Sequence, residues 1–214
     1  GAERQRLYLT GDGGLADGPE GASRQYVYDP RQPNPTLGGR NMLIRNGRMD
    51  QRPAQARPNY GLIYTGAPLD ADLTLSGPVS VTLHVESDCT DTDFIAKLNE
   101  VLPDGHAMLL MDGVTRAMYR SAVLDPARAR PERLEPGQVY AIVIELGEIR
   151  HTLKAGARLQ IDIVSSNFPR RARNTNSGHA LLAADGEDAI RVATNSVRHA
   201  PETPSFVELT ISAG

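Results

Sequence analysis

The chain has no Trp, three Phe, two Lys and a single Cys in 214 residues. With Cys89 alone there is no disulfide framework, and the compartment, cytoplasmic or exported, stays open. The missing staples are not needed, because a chain of this length buries roughly 70% of its unfolded surface. No apolar run approaches the ~18 residues of a membrane-spanning helix, and no secretory leader pattern stands at the start. The formal charge is −3, with 23 basic residues against 26 acidic ones, which argues against a nucleic-acid surface. Only Lys97 and Lys154 are Lys; the other basic residues are Arg. Helical periodicity is almost absent. The expectation is a soluble protein without cofactor, membrane or nucleic-acid partner.

What the chain does have is glycine, proline and two-residue alternation. It carries 20 Gly and 15 Pro beside a 40% apolar share, which suits many short strands joined by turns. Val79, Val81, Leu83 and Val85 alternate with Ser80, Thr82, His84 and Glu86. Leu159, Ile161 and Ile163 alternate with Gln160 and Asp162, and Val207, Leu209 and Ile211 with Glu208 and Thr210. Each pattern predicts a strand with one buried and one wet face. Residues 138–149 are apolar on both sides and read as a central strand, or as one covered by a partner. Residues 93–102 read as a strand ended by the Pro103-Asp104-Gly105 turn. Asp112-Gly113 reads as a hairpin turn between residues 108–111 and 114–119. Shorter strands are expected at 6–9, 25–28, 62–65, 72–75 and 191–198, making about ten. The pattern fits one domain over residues 1–214, an all-β jelly-roll β-sandwich of two antiparallel sheets. Two long irregular stretches, 29–59 and 167–188, are of a length that is often functional or packed on a partner.

Candidate chemistry is sparse. There is no Gly-x-Ser-x-Gly nucleophile elbow and no phosphate loop. One Cys and scattered His give no zinc spacing, and His199 is expected to bond a loop backbone. Asp88, Asp91 and Asp93 form the best cation candidate, for calcium; the competing reading is Asp and Thr side chains bonding nearby backbone in a tight corner. Arg170, Arg171 and Arg173 form either an anion-binding loop or a solvated turn.

Several motifs occur in a fixed order: Tyr28-Asp29-Pro30, Asn34-Pro35-Thr36-Leu37-Gly38-Gly39, Asp50-Gln51-Arg52, Leu62-Ile63-Tyr64-Thr65, Gly77-Pro78-Val79, Asp91-Thr92-Asp93-Phe94, Pro103-Asp104-Gly105 and Ser165-Ser166-Asn167-Phe168-Pro169-Arg170. Together they resemble the C-terminal domain of the X-Pro dipeptidyl-peptidase and cocaine esterase (CocE/NonD) superfamily of serine hydrolases. The resemblance implies a galactose-binding-like sandwich that follows an α/β-hydrolase domain and carries no catalytic residue of its own. It implies that the partner is that catalytic domain of the same polypeptide, with the sandwich stabilising it and walling its cleft. Gly38, Gly39, Arg40, Asn41, Met42 and Leu43, and Asp91, Asp93 and Phe94, are the cleft and interface candidates. An exposed apolar patch is expected at Met42, Leu43, Ile44, Phe94 and near Met118. A free-standing carbohydrate-binding module or a homo-oligomerisation module is the alternative, although carbohydrate sites usually present aromatic rings and this chain has no Trp.

Overall fold

A computed structural model describes residues 2–42, 44–128 and 130–212. Its strands are β1 (Ala2–Leu9), β2 (Leu15–Ala16), β3 (Arg24–Tyr28), β4 (Leu62–Thr65), β5 (Leu73–Ser87), β6 (Asp93–Val101), β7 (Ala107–Arg116), β8 (Tyr140–Leu153), β9 (Arg158–Val164), β10 (Ala193–Val197) and β11 (Phe206–Ser212). The helices are short: α1 (Arg52–Gln55) and α2 (Arg120–Leu124), with a few 3₁₀ turns.

The strands form two antiparallel sheets, as the alternation predicts. The larger runs β2-β1-β11-β5-β10-β3, with β8 on the other edge of β5. The smaller runs β4-β9-β6-β7. The 15-residue β5 is the spine of the larger sheet. One edge pairs with β8 from Leu73 to Val85; the other pairs with β11 and, at its end, with β10. Val79, Val81, Leu83 and Val85 point inward against Phe94, Leu98, Ile161 and Ile163 of the smaller sheet. Burying side chains of this size is worth about 1.5–3 kcal/mol each, and it fixes which face of every strand is inside.

The sandwich is tied at both sides. Thr115 Oγ1 of β7 donates to Val143 O of β8 at 2.7 Å. On the opposite side Arg24 Nη1 donates to Ile63 O at 2.9 Å, and Thr65 N donates to Gly13 O at 2.9 Å.

Several expectations change. Asp112-Gly113 is not a turn but lies within continuous β7; the hairpin turn is Pro103-Asp104-Gly105, with Gly105 at φ +90°. Gly113 is needed for closeness, since a Cβ there would stand 2.2 Å from Glu145 O. The strand after it ends at Arg116 rather than Tyr119. β8 is not covered on both faces: Ile142, Ile144 and Leu146 are buried while Ala141 and Glu145 are exposed. The doubly covered strand is β6, buried from Asp93 to Glu100. β9 is not half wet either, since Gln160 and Asp162 are both buried. Gly77 sits inside β5 against Thr210. His199 meets its expectation, with Nδ1 2.6 Å from Ala22 O.

Gly113→Ala is expected to destabilise the chain by about 2–4 kcal/mol, because a Cβ cannot coexist with the Glu145 carbonyl without parting β7 from β8. Urea unfolding of the two proteins checks this; an unchanged midpoint would contradict the close approach.

Candidate docking face

The smaller sheet is covered on its outer side by the two long irregular stretches, which are joined to each other. Phe168 N donates to Asn34 O at 2.9 Å and Thr36 N to Phe168 O at 2.7 Å, a short parallel pairing. Asn34 N donates to Ser166 Oγ at 2.8 Å, Thr36 Oγ1 to Asn167 O at 2.8 Å, and Arg170 N to Thr36 Oγ1 at 3.2 Å.

Beneath this pair lies a layer of buried polar side chains. Lys97, Asn99, Asp112, Gln160 and Asp162 project from β6, β7 and β9 and are all buried. The loops supply their partners. Lys97 Nζ donates to Gln51 Oε1 at 3.1 Å, and Gln51 Nε2 donates to Leu37 O and Met49 O. Tyr60 OH donates to Asp162 Oδ2 at 2.6 Å, and Gln55 Nε2 to Gln160 Oε1 at 2.7 Å. Arg170 Nη1 reaches Asp112 at 2.6 Å, and Asn167 Nδ2 donates to the same carboxylate at 3.0 Å. Burial lowers the pKa of Lys97 and raises that of Asp162, and the charge of each opposes the other's shift. Removing one member of such a buried charged pair typically costs about 3–5 kcal/mol. Pro53 at the start of α1 fixes the helix entry, and Ala54, Tyr60, Ile95 and Val164 add a small apolar cluster beside the polar one.

The first group of sequence candidates forms a tip on this cover. Gly38 and Gly39 have φ of +71° and +86°, as their turn role requires. Gly39 and Gly47 exchange both backbone hydrogen bonds, at 2.8 and 3.1 Å. Arg40 Nη2 donates to Leu146 O at 2.7 Å, tethering the tip to β8. Asn41 braces it internally: Nδ2 donates to Gly38 O, and Ile44 N donates to Asn41 Oδ1. Met42 is 97% exposed. A hollow of about 210 Å³ lies between Asn41, Met42, Ile44, Pro169 and Arg170, and Phe168 beside it is 45% exposed. The expectation for Leu43 lies outside the described residues.

The second group is placed elsewhere and mostly inside. Phe94 is fully buried in the sandwich core and Met118 is 1% exposed, so neither belongs to an exposed patch. The alternation of β6 explains Phe94, which faces inward with Ala96 and Leu98. Asp91 is buried and accepts from Arg116 Nε at 2.7 Å, Met118 N at 3.0 Å and Asn174 Nδ2 at 3.0 Å. Asn174 also donates to Asp93 Oδ1 at 2.8 Å. Asp88 is apart from them, exposed, accepting from Thr194 N at 2.8 Å. Among the described residues no group of three or more His, Cys, Asp or Glu side chains is arranged to hold a metal ion. The carboxylates that formed the calcium candidate are instead held by donors from distant parts of the chain, Arg116, Met118, Asn174 and Thr194, rather than by the backbone of their own corner. Of the arginine loop, Arg170 is turned inward onto Asp112, and Arg173 Nη1 donates to Pro30 O at 3.1 Å. Sequence reasoning missed Gln51, Tyr60, Lys97, Asp112 and Asp162 as the loop anchors; Lys97 within an apolar strand was the available signal.

A β-sandwich of two antiparallel sheets with one loop-built face is the class this geometry defines. The chain belongs to the X-Pro dipeptidyl-peptidase C-terminal non-catalytic domain family, whose model matches residues 2–208. A cocaine esterase from Rhodococcus is 35% identical over 206 residues, which cover 94% of this chain and 35% of that protein. An aminopeptidase from a marine sediment archaeon of the Thaumarchaeota superposes with a TM-score of 0.86 at 25% identity, covering 99% of this chain and 37% of its own. An alpha-amino acid ester hydrolase superposes at 0.85 and 24% identity, over 97% of this chain and 36% of its own. The chain thus spans about a third of the length of each of these relatives.

Burial, helped by Asp91 and opposed by Asn174, raises the Asp93 pKa to about 7. A carboxyl whose folded pKa lies above its unfolded value stabilises the fold while protonated, and stability falls as pH rises from about 4 towards 7. Asp93→Asn removes that loss. It is expected to flatten the stability profile over this window and to be the more stable protein above pH 7, by roughly 4 kcal/mol at most. Thermal unfolding across pH 4–8 checks this; parallel profiles for the two proteins would contradict the assignment.

Proposed function

We propose that residues 1–214 form one accessory domain that docks on an α/β-hydrolase catalytic domain of the same polypeptide and helps wall its active-site cleft. The reaction would be serine-dependent hydrolysis of an ester or peptide-like amide, with every catalytic residue supplied by the other domain. The printed activities of the relatives, an esterase, an aminopeptidase and an amino-acid ester hydrolase, support that substrate range. One observation carries the docking role. The fully exposed Met42 stands beside Ile44, Phe168 and Pro169, on loops that the buried polar layer holds in place. A cluster of exposed apolar groups such as this marks an interaction site. A pre-ordered surface also spares the entropy of ordering loops on contact.

The experiment measures binding of this chain to the separately produced catalytic part by titration calorimetry, with ester hydrolysis as second readout. The chain alone is expected to show no hydrolysis, and Met42→Asp with Phe168→Asp to weaken association by at least about 2 kcal/mol. Unchanged association in the double variant would contradict this face as the docking site. Self-association of the isolated chain lost in the same variant would assign the face to a second copy instead.

A further inference from the structure

We propose that Asn46 is a site of spontaneous covalent modification, deamidation through a succinimide, which rewrites the charge and backbone of the exposed loop tip. Asn46-Gly47 is the sole Asn-Gly step in the sequence. Both residues are exposed, and Gly47, lacking a side chain and with open space where a Cβ would stand, is the least hindered residue that can follow an asparagine. The Asn-Ser steps at Asn176 and Asn195 offer the next least hindered sequence context, but both asparagines are buried. Two weak restraints oppose the reaction. Gly47 N donates to Gly39 O at 3.1 Å, and Asn46 Nδ2 donates to Asn41 O at 3.2 Å in an exposed position. Both belong to the tip and open with it, without disturbing the buried layer below.

The step balances with water alone. Gly47 N loses its proton to solvent base and attacks Asn46 Cγ; the new N–Cγ bond closes a five-membered imide as the Cγ–Nδ2 bond breaks and ammonia leaves. Water then opens the ring at either carbonyl. One opening gives aspartate, the other isoaspartate, in which the main chain runs through the side-chain carbon. Either product makes the chain one unit more negative than its formal −3. The new carboxylate lies at a hollow of about 300 Å³ that Asn46 shares with Arg40 and Arg48. The isoaspartate product also lengthens the backbone beside Gly47 and breaks the Gly39–Gly47 pairing that shapes the turn under Met42. The tip therefore carries a chemical clock.

The test incubates the folded chain in warm, mildly alkaline buffer, then cleaves on the amino side of aspartate and weighs the fragments. Residues 29–49 come off together and contain Asn34 and Asn41 as internal controls. The expected result is a gain of about 1 Da confined to residue 46. Part of that fragment is newly cut before residue 46, and part resists cutting and accepts a methyl group from an isoaspartate methyltransferase. Asn46→Gln stays unmodified under the same treatment while remaining folded by circular dichroism. A fragment that keeps its mass, or a gain located at Asn34 or Asn41, overturns the proposal.

Discussion

Lys97 sits in the middle of the most buried strand of the protein, and its ammonium group has no water to turn to. An isolated charge in that position would cost several kcal/mol, so the chain has to bring polar partners to it. Much of the smaller sheet's architecture follows from that requirement. Asp162 and Asp112 supply opposite charge from the flanking strands, and Gln51 is carried in from the first long loop to accept the lysine's hydrogen bond. Each recruited group then needs its own partner. Tyr60 and Gln55 answer Asp162, and Arg170 and Asn167 from the second loop answer Asp112.

The consequence is that two segments with almost no regular structure are anchored to the sheet and to each other at named points. They are fixed to the sheet by charge-assisted bonds and to each other by backbone pairing at Asn34, Thr36 and Phe168. A fixed irregular surface can present side chains that a β-sheet cannot, including a methionine at the tip of a glycine-bounded turn. Under the proposed docking role, such a surface would contribute shape rather than chemistry.

The strands were largely legible because period-2 alternation reports which side chains point inward. Val79 to Val85 and Val207 to Leu209 read correctly for that reason, while a register shift after Glu208 buries Thr210 and leaves Ile211 half-buried. Alternation does not report what covers the polar side. Gln160 and Asp162 carry the same pattern as Ser80 and Thr82, yet they face a protein layer instead of water. The doubly apolar composition of residues 138–149 does not mark a strand covered on both faces within this chain, since β8 lies at an edge and the covered strand, β6, carries a lysine and an asparagine. Asp112-Gly113 has turn composition but serves a pair of tertiary demands, a carboxylate for Arg170 and a missing side chain for the Glu145 carbonyl. In the proposed site Met42 was legible as a neighbour of the Gly38-Gly39 motif. The anchors beneath it were not, because residues as distant as Gln51, Lys97, Asp112 and Arg170 meet only after folding.

The account rests on these loops being part of the rigid fold, and amide hydrogen exchange on the isolated chain addresses that most directly. Thr36 and Phe168, whose N–H groups bond across the two loops, are predicted to exchange as slowly as amides within β9. Exchange at these two residues at the rate of an open loop, with β6 and β9 still protected, would contradict it.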